Sequence, residues 1–535
     1  MRLNSPVTAS LIAALRSDLA AADFTVARVT ALWGAEAADA LHRGQRIPAL
    51  RALDARAGST GPTPLATLAA VFLLGRPATG NDLAEAFPAL GVDGAVALGL
   101  SSSTGGDRFF AAVDLRPYSF VDAHGPADWW IVSDLGELSL GHALPVDHVL
   151  GVGGASTTLS GLMLQNPVDR VLDLGTGCGI QAMHASRHAN HVVATDISQR
   201  AIDLAALNVE LNGIEGVEFR LGSLFEPVEG ETFDHIVSNP PFVITPRADG
   251  VPEYEYRDGG MVGDALVQAV ISTAGEYLAP GGVAQLLANW EYRGDGAGEG
   301  DGVGEGDGVG EGAGDGFARV EGWLDASTVP VDAWVVERDV EDAARYAETW
   351  IRDGGTRQGT DAFDRLMSAW LDDFERRDVR SVGFGYVLLR RPITGEPTLR
   401  RLERRHGALG SNEAGLGVHL GDSLAAHDWQ AALDDAAFAS HRYAVAGDVT
   451  EERHFWPGDD APTAMLLRQG GGFGRTVQGD TGLIALVGAC DGELSVAAIV
   501  AALAQLLEVD EGALFAELVP AVRALVVDGF LVPVE

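Results

Sequence analysis

The chain contains no lysine: all 37 of its fixed basic side chains are arginine. That absence reads as a coding bias as much as a functional trait. Against 76 acidic residues the arginines leave a formal charge of −39. Such a surface repels a polyphosphate and excludes broad, non-specific nucleic-acid binding, while leaving room for a local basic patch. Cysteine is nearly absent as well. Cys178 and Cys490 stand far apart, which argues against a disulfide framework and fits a reducing cytoplasm. No apolar run is long enough to cross a bilayer. The opening stretch, MRLNSPVTASLIAALRSDLA, has helical spacing with charges inside it and lacks the apolar core and cleavage site of a signal peptide. The expectation is a cytoplasmic protein with no membrane segment. What is present is ordinary: 535 residues, 47% hydrophobic and 21% charged, enough for about three domains.

One segment cannot bury a core. Gly294 to Gly316 reads GDGAGEGDGVGEGDGVGEGAGDG, an alternation of glycine and acid expected to be a flexible linker. Its carboxylates match neither a calcium nonapeptide repeat nor an EF-hand loop, and no metal is expected. From about Asn166 to Pro392 short apolar runs alternate with amphipathic ones: DRVLDLG, GIQAMHASRHA, HVVATD, SQRAIDLAALNVELNG, GVEFRLGS, FDHIVSN, MVGDALVQAVISTAGEYLAPGG, VAQLLANW. Such alternation predicts a doubly wound, mostly parallel sheet. A helical insertion over 340–378, holding Trp350 and Trp370, separates the last two strands, DAWVVERD and SVGFGYVLLRR. Residues 64–118 read as three helices and a β-hairpin, the order of a winged helix, and the end of the chain repeats the theme. The expected domains are therefore 1–146, 147–392 and 393–535, the outer two mainly helical and winged-helix-like.

Two motifs carry chemistry. The first is Val171-Leu172-Asp173-Leu174-Gly175-Thr176-Gly177-Cys178-Gly179, at a strand end that opens a helix. Its glycines let a ligand approach the backbone closely, and the helix start faces that ligand. The next strand ends in Asp196, where a carboxylate can accept both hydroxyls of a ribose, and the third ends in Gly222-Ser223-Leu224, near where an adenine edge would lie. The second motif is Val237-Ser238-Asn239-Pro240-Pro241-Phe242. Prolines lack an N–H and end the strand in a rigid corner.

In that order and spacing the motifs resemble the class I S-adenosylmethionine-dependent methyltransferases. More narrowly they resemble the "small" methyltransferase domain shared by HemK-like protein-glutamine methyltransferases and ribosomal RNA guanine N2-methyltransferases. The resemblance covers about residues 147–392 and implies a seven-stranded Rossmann-like sheet. It implies S-adenosyl-L-methionine as cofactor, held by Asp173, Gly175, Thr176, Gly177, Gly179, Asp196, Ile197, Ser223, Leu224 and Asn239. The family often has Asp where Ser223 stands. The resemblance also makes the Asn239 side chain and the Pro240 carbonyl acceptors for a planar NH2 group, with Phe242 as the stacking platform. The lone pair of such a nitrogen is delocalised, so catalysis rests on orientation and preorganised acceptors. Tyr256-Arg257-Asp258-Gly259-Gly260 with Gly263, Asp264 and Leu266 resembles a HemK-like covering loop, and Thr157 and Thr158 are further candidates for the pocket wall.

Two macromolecular substrates compete. An RNA base, the preferred reading, draws on Phe242, on the winged-helix-like flanks, and on the cluster Arg390, Arg391, Arg400, Arg401, Arg404, Arg405 and His406. A glutamine amide of a translation protein draws on the Arg-Asp-Gly-Gly segment and the acidic surface. A non-catalytic S-adenosylmethionine-binding protein is a third reading, against which the intact Asn-Pro-Pro-Phe argues.

Overall fold

Runs such as VLDL and HIVS are buried on both faces, and a strand of that kind is stable only with helices packed on both sides. The computed structural model describes residues 6–534 apart from 62, 104, 137–144, 146, 249, 252–256, 258, 295–315 and 394. In it these runs form the centre of one sheet. The strands are β1 (Val168–Leu174), β2 (Ala189–Asp196), β3 (Val217–Leu221), β4 (Phe233–Ser238), β5 (Leu278–Arg293), β6 (Asp332–Asp342), β7 (Val379–Arg390) and β8 (Arg400–Arg404). They lie in the order β8-β6-β7-β5-β4-β1-β2-β3. β3, β2, β1, β4 and β5 run parallel, whereas β7 is antiparallel to both β5 and β6. The sheet thus has eight strands, not the seven expected. The extra one is the sequence RRLER, whose side chains are half-buried or exposed, so no apolar alternation announces it.

The helices within this part of the chain are α1 (Gly154–Leu162), α2 (Ile180–Ala185), α3 (Gln199–Leu211), α4 (Ala265–Tyr277), α5 (Gly316–Asp325), α6 (Ala343–Asp353) and α7 (Asp361–Arg376). α6 and α7 are the insertion between β6 and β7. Each starts at a side-chain cap, Asp342 accepting from Arg345 N at 2.9 Å and Thr360 from Phe363 N at 3.2 Å. The Gly-Phe-Gly in β7 has a packing reason. A Cβ on Gly383 would stand 2.4 Å from Trp290 Nε1, and one on Gly385 2.5 Å from the same indole. Trp290, fully buried on β5, lies across both glycines and donates to Glu337 at 3.0 Å. β5 also starts earlier than the run VAQLLANW, because Leu278-Ala279-Pro280-Gly281-Gly282 already belongs to the strand.

Contacts divide the chain into Met1–Phe120, Pro126–Ser160 and Pro167–Glu403 on one side and Val121–Gly125, Gly161–Asn166 and Arg404–Glu535 on the other. The first unit includes the N-terminal helices Pro6–Ala21, Val26–Trp33, Ala35–His42 and Ile47–Thr60. Pro64–Leu68, continued by one π-helical turn at Ala69–Leu73, then Gly80–Ala86 and Gly91–Ala97 follow, and Ser101–Ser103 pairs antiparallel with Phe109–Ala111. A longer hairpin, Asp114–Asp122 and Gly125–Ser133, comes next. Its residues Leu115, Trp129, Ile131 and Val132 share one apolar core with Met183 of α2 and Leu204, Leu207 and Leu211 of α3. Burying a side chain of this size contributes about 1.5–3 kcal/mol.

In the second unit the helices Thr481–Gly488, Val496–Leu507 and Glu511–Val527 match the expected run. Two features were not expected. Asp491–Ser495 is a strand, and the sheet it joins has the order Asp491–Ser495, Arg442–Val445, Leu531–Val534, with its middle strand drawn from upstream. A second three-stranded sheet, Val449–His454, Ala464–Gln469 and Thr476–Gly479, precedes the helices. Among the described residues, no helix is long and apolar enough to cross a membrane.

Candidate active site

β1 and β4 lie side by side with their C-terminal ends in register, Leu174 opposite Ser238, and Ser238 Oγ donates to Leu174 O at 2.8 Å. In an open α/β sheet this is the switch point, where helices leave towards opposite faces and a crevice opens. Both sequence motifs begin there. Gly175 N and Thr176 N donate to Thr195 O at 3.0 and 2.9 Å, which bends the loop over the end of β2. Gly175, Gly177 and Gly179 have φ of 79°, 54° and 87°, a conformation side chains resist. A Cβ on Gly175 or Gly177 would meet open space, whereas one on Gly179 would strike Ala205 of α3 at 2.9 Å. The loop is thus open on its outer side and pressed against α3 on its inner side.

Asp173 is fully buried. Its Oδ2 accepts from Thr176 Oγ1 at 2.6 Å and from Ala182 N at 2.9 Å, while Oδ1 has no partner. Burial pushes its carboxyl up to about 7, aided by the nearby charge of Asp196 and opposed by the two hydrogen bonds. Asp196 accepts from Gly177 N and Ser198 N, each at 2.9 Å, and burial likewise raises its carboxyl above the usual range. Ile197, beside it, is 66% exposed. Ser223 and Leu224 follow β3, and Leu224 takes a left-handed φ of 47°. Cys178 is buried, and burial lifts its thiol to about 11, which leaves it unreactive.

At the second motif Asn239 Oδ1 is a buried acceptor without a partner. Pro240 is buried, and Pro241 and Phe242 are half-buried. The Phe242 ring stands 5.8 Å from Phe384 and 6.5 Å, edge-on, from Trp350. Two residues beyond the motif hold the corner. Val243 N donates to Arg257 O at 2.9 Å, and Ile244 N donates to the Tyr346 hydroxyl at 3.0 Å. Tyr346 Oη also receives Asn289 Nδ2 at 2.8 Å, and burial drives its hydroxyl pKa upward. Arg257 donates to Trp350 O at 2.9 Å. Insertion helix α6 therefore supplies both Tyr346 and Trp350 to this site, a role the sequence did not reveal. The local signal was the tyrosine and tryptophan four residues apart on one helix face.

Of the covering-loop candidates, Tyr256 and Asp258 lie outside the described residues. Gly259 lies against the motif, since a Cβ there would come 3.2 Å from Pro241 O and closer still to Leu266. Asp264 is committed elsewhere: it accepts from Glu291 N at 3.0 Å and pairs with Arg319 at 2.6 Å. Thr157 turns its hydroxyl back to Gly154 O at 2.9 Å. The arginines read as phosphate ligands are also engaged. Arg390 pairs with Asp332 at 2.7 Å, Arg391 donates to Leu278 O at 2.8 Å, and Arg400 pairs with Asp325 at 2.7 Å. Arg401 pairs with Glu403 at 3.2 Å over the Trp334 ring, and Arg404, Arg405 and His406 each have an interaction within the protein. Among the described residues, no group of three or more His, Cys, Asp or Glu is placed to hold a metal ion.

Strand order and the paired motifs at the switch point define a class I methyltransferase domain within the chain. More narrowly, residues 152–295 match the family described as methyltransferase small domain. Residues 21–112 and 423–533 match two families, each described as a domain of unknown function (DUF7059 and DUF7782). The chain is similar to the release factor glutamine methyltransferase of Geobacter sulfurreducens, 41% identical over 121 residues, 21% of this chain and 42% of that protein. It is similar also to the ribosomal protein uL3 glutamine methyltransferase of Bradyrhizobium diazoefficiens, 36% identical over 135 residues, 23% of this chain and 42% of that protein. The chain thus spans less than half the length of these relatives. A solved methyltransferase from Pyrococcus furiosus is 15% identical over 44% of this chain and 80% of its own, with a TM-score of 0.25, a likeness too slight to add to the fold.

Proposed function

We propose that the chain is an S-adenosylmethionine-dependent N-methyltransferase acting on the side-chain amide of a glutamine in a translation protein. The observation that carries the reading is the unpartnered, buried Asn239 Oδ1 at the switch point. A buried acceptor left without a donor costs about 1–3 kcal/mol, and a bound NH2 group removes that cost. The names of the relatives support a glutamine amide over an RNA base, and the internal pairing of the arginine cluster weakens one of the supports for RNA.

The residues present fit the cofactor. Asp173 offers a free carboxylate oxygen to the ammonium of a methionine part, and Gly175 and Gly177 leave space over the loop. Asp196 is the candidate for the ribose, with Ile197, Ser223 and Leu224 towards the adenine. When bound, the cofactor supplies an electrophilic methyl group. The chain's own part is positional. Asn239 Oδ1 and the Pro240 carbonyl accept the two amide hydrogens and so aim the nitrogen. They also stabilise positive charge developing on it, while Phe242 supports the flat amide from one face. The prolines, Tyr346 and Arg257 keep these acceptors in place before substrate arrives.

The test is methyl transfer from labelled cofactor to purified release factor and ribosomal protein uL3, with the label mapped by mass spectrometry. N5-methylglutamine is the expected product. Label that ribonuclease removes from a lysate, with none in protein, refutes the glutamine reading in favour of an RNA base. No transfer to any macromolecule while cofactor still binds supports the non-catalytic reading.

A further inference from the structure

We infer that the long hairpin preceding the methyltransferase domain is part of the cofactor site: through Asn208 it sets the position of the glycine loop. The inference rests on the cofactor reading above. Two polar rungs join the hairpin to α3. Asn212 Oδ1 accepts from Trp130 N at 2.9 Å and its Nδ2 donates to Trp130 O at 2.8 Å. One turn earlier, Asn208 Oδ1 accepts from Val132 N at 2.7 Å and Nδ2 donates to Val132 O at 2.8 Å. These amides act as a neighbouring strand would, satisfying alternate backbone groups of a strand edge. At the helix start, Arg200 pairs with Asp134, continuing the line.

Asn208 differs from the other rung in one respect. Its second amide hydrogen goes to Cys178 O, 2.8 Å away, inside the glycine loop. Asn208 is fully buried, and both its hydrogens and its oxygen are used. One side chain thus fixes a hairpin residue and the cofactor loop together. The hairpin also grips α2, the helix into which the loop leads. His184 of α2 is bonded to Tyr118 Oη at 3.1 Å and ringed by Phe120 at 4.3 Å and Trp129 at 5.0 Å. Both helices flanking the loop are held by the same hairpin, so the loop's position follows the hairpin's.

The test compares Asn208→Asp with Asn212→Asp in the full chain. Each change removes the amide donors at one rung, but only the first releases Cys178 O. Cofactor affinity is measured by calorimetry and turnover at saturating cofactor. The expected result is a dissociation constant at least tenfold weaker for Asn208→Asp, less than threefold weaker for Asn212→Asp, and kcat within twofold of wild type for both. Equal losses in the two variants, or none in Asn208→Asp, overturn the inference. Asp196→Ala is the control for the reading beneath it: if that change leaves affinity intact, the cofactor site is elsewhere and the inference falls with it. If Asn208→Asp does not fold, hydrogen exchange of the wild-type chain decides. Coupling is reciprocal, so saturating cofactor must slow exchange in peptides covering 127–134, and unchanged exchange there refutes the coupling.

Discussion

On the proposed reading, in which Asp173 holds the ammonium of the cofactor, its burial makes cofactor binding a titration. Its carboxyl, ordinarily near 3.8, is pushed up to about 7 by complete burial. Near pH 6 it is mostly protonated, and a neutral acid is a poor partner for an ammonium group. If only the carboxylate form binds, the apparent dissociation constant scales as 1 + 10^(7 − pH), a factor of about 11 at pH 6 and about 1.1 at pH 8. Affinity should therefore tighten about tenfold between those values. About 0.9 proton should leave the protein per cofactor bound at pH 6. Calorimetry in buffers of differing ionisation enthalpy measures both quantities. Asp173→Asn should weaken binding and flatten its pH dependence. The linkage also fixes the sign for the empty protein. A carboxyl raised in the fold contributes stability that is fully present below its unfolded value and lost as the pH rises through about 7. A dissociation constant independent of pH from 6 to 8, with no proton released, refutes the assignment of Asp173 to the ammonium.

Three further outcomes are expected. Asn239→Ala should lower kcat by about 10²–10³ and leave the cofactor dissociation constant within about threefold, as for other preorganised polar groups at reacting centres; unchanged turnover removes Asn239 from catalysis. Tyr346→Phe deletes the hydroxyl that receives Ile244 N and Asn289 Nδ2, and should destabilise the protein by about 1–3 kcal/mol in denaturant titration; a neutral result would mean that this corner is held by other contacts. His235 is fully buried beside Gln285 at 3.0 Å, and burial lowers its pKa to about 3. Because the unfolded chain takes up a proton there near 6.5, stability should fall as pH drops below that value. His235→Gln should spare about 2–3 kcal/mol of the loss between pH 6.5 and 4.5, measured as the difference in urea midpoints.

The site was legible where chemistry is written in consecutive residues. The glycine loop, Asp196 and Asn239 stand at strand ends because apolar runs stop there, and a strand end in a parallel sheet is where a crevice forms. Tyr346, Asn208 and His184 were not legible as site residues, Tyr346 despite its spacing from Trp350. Each acts across more than 60 residues of sequence, and nothing around Asn208 or His184 distinguishes them from ordinary helix residues. β8 was missed for a related reason. Its arginines look like a ligand for phosphate in sequence, and only the positions of Asp325, Glu403 and Trp334 turn them into strand-edge pairs. The preference for an RNA base drew on that cluster together with Phe242 and the winged-helix-like flanks. The core, by contrast, followed directly from pattern, because burial of a two-faced apolar strand leaves few alternatives.

The middle strand of the sheet near the C-terminus, Arg442–Val445, lies between strands that come some 50 and 90 residues later. A fragment cut at the start of the helical run, near Asp480, would keep both outer strands and lose the one that joins them. Its two remaining strands would face a gap one strand wide, with backbone groups on both sides unpaired. A protease that nicks the chain between 446 and 480 would therefore leave the pieces associated, whereas expressing the helical run alone would leave it without a sheet. For anyone isolating this part of the protein, the boundary lies ahead of residue 442, well before the helices that seem to define it.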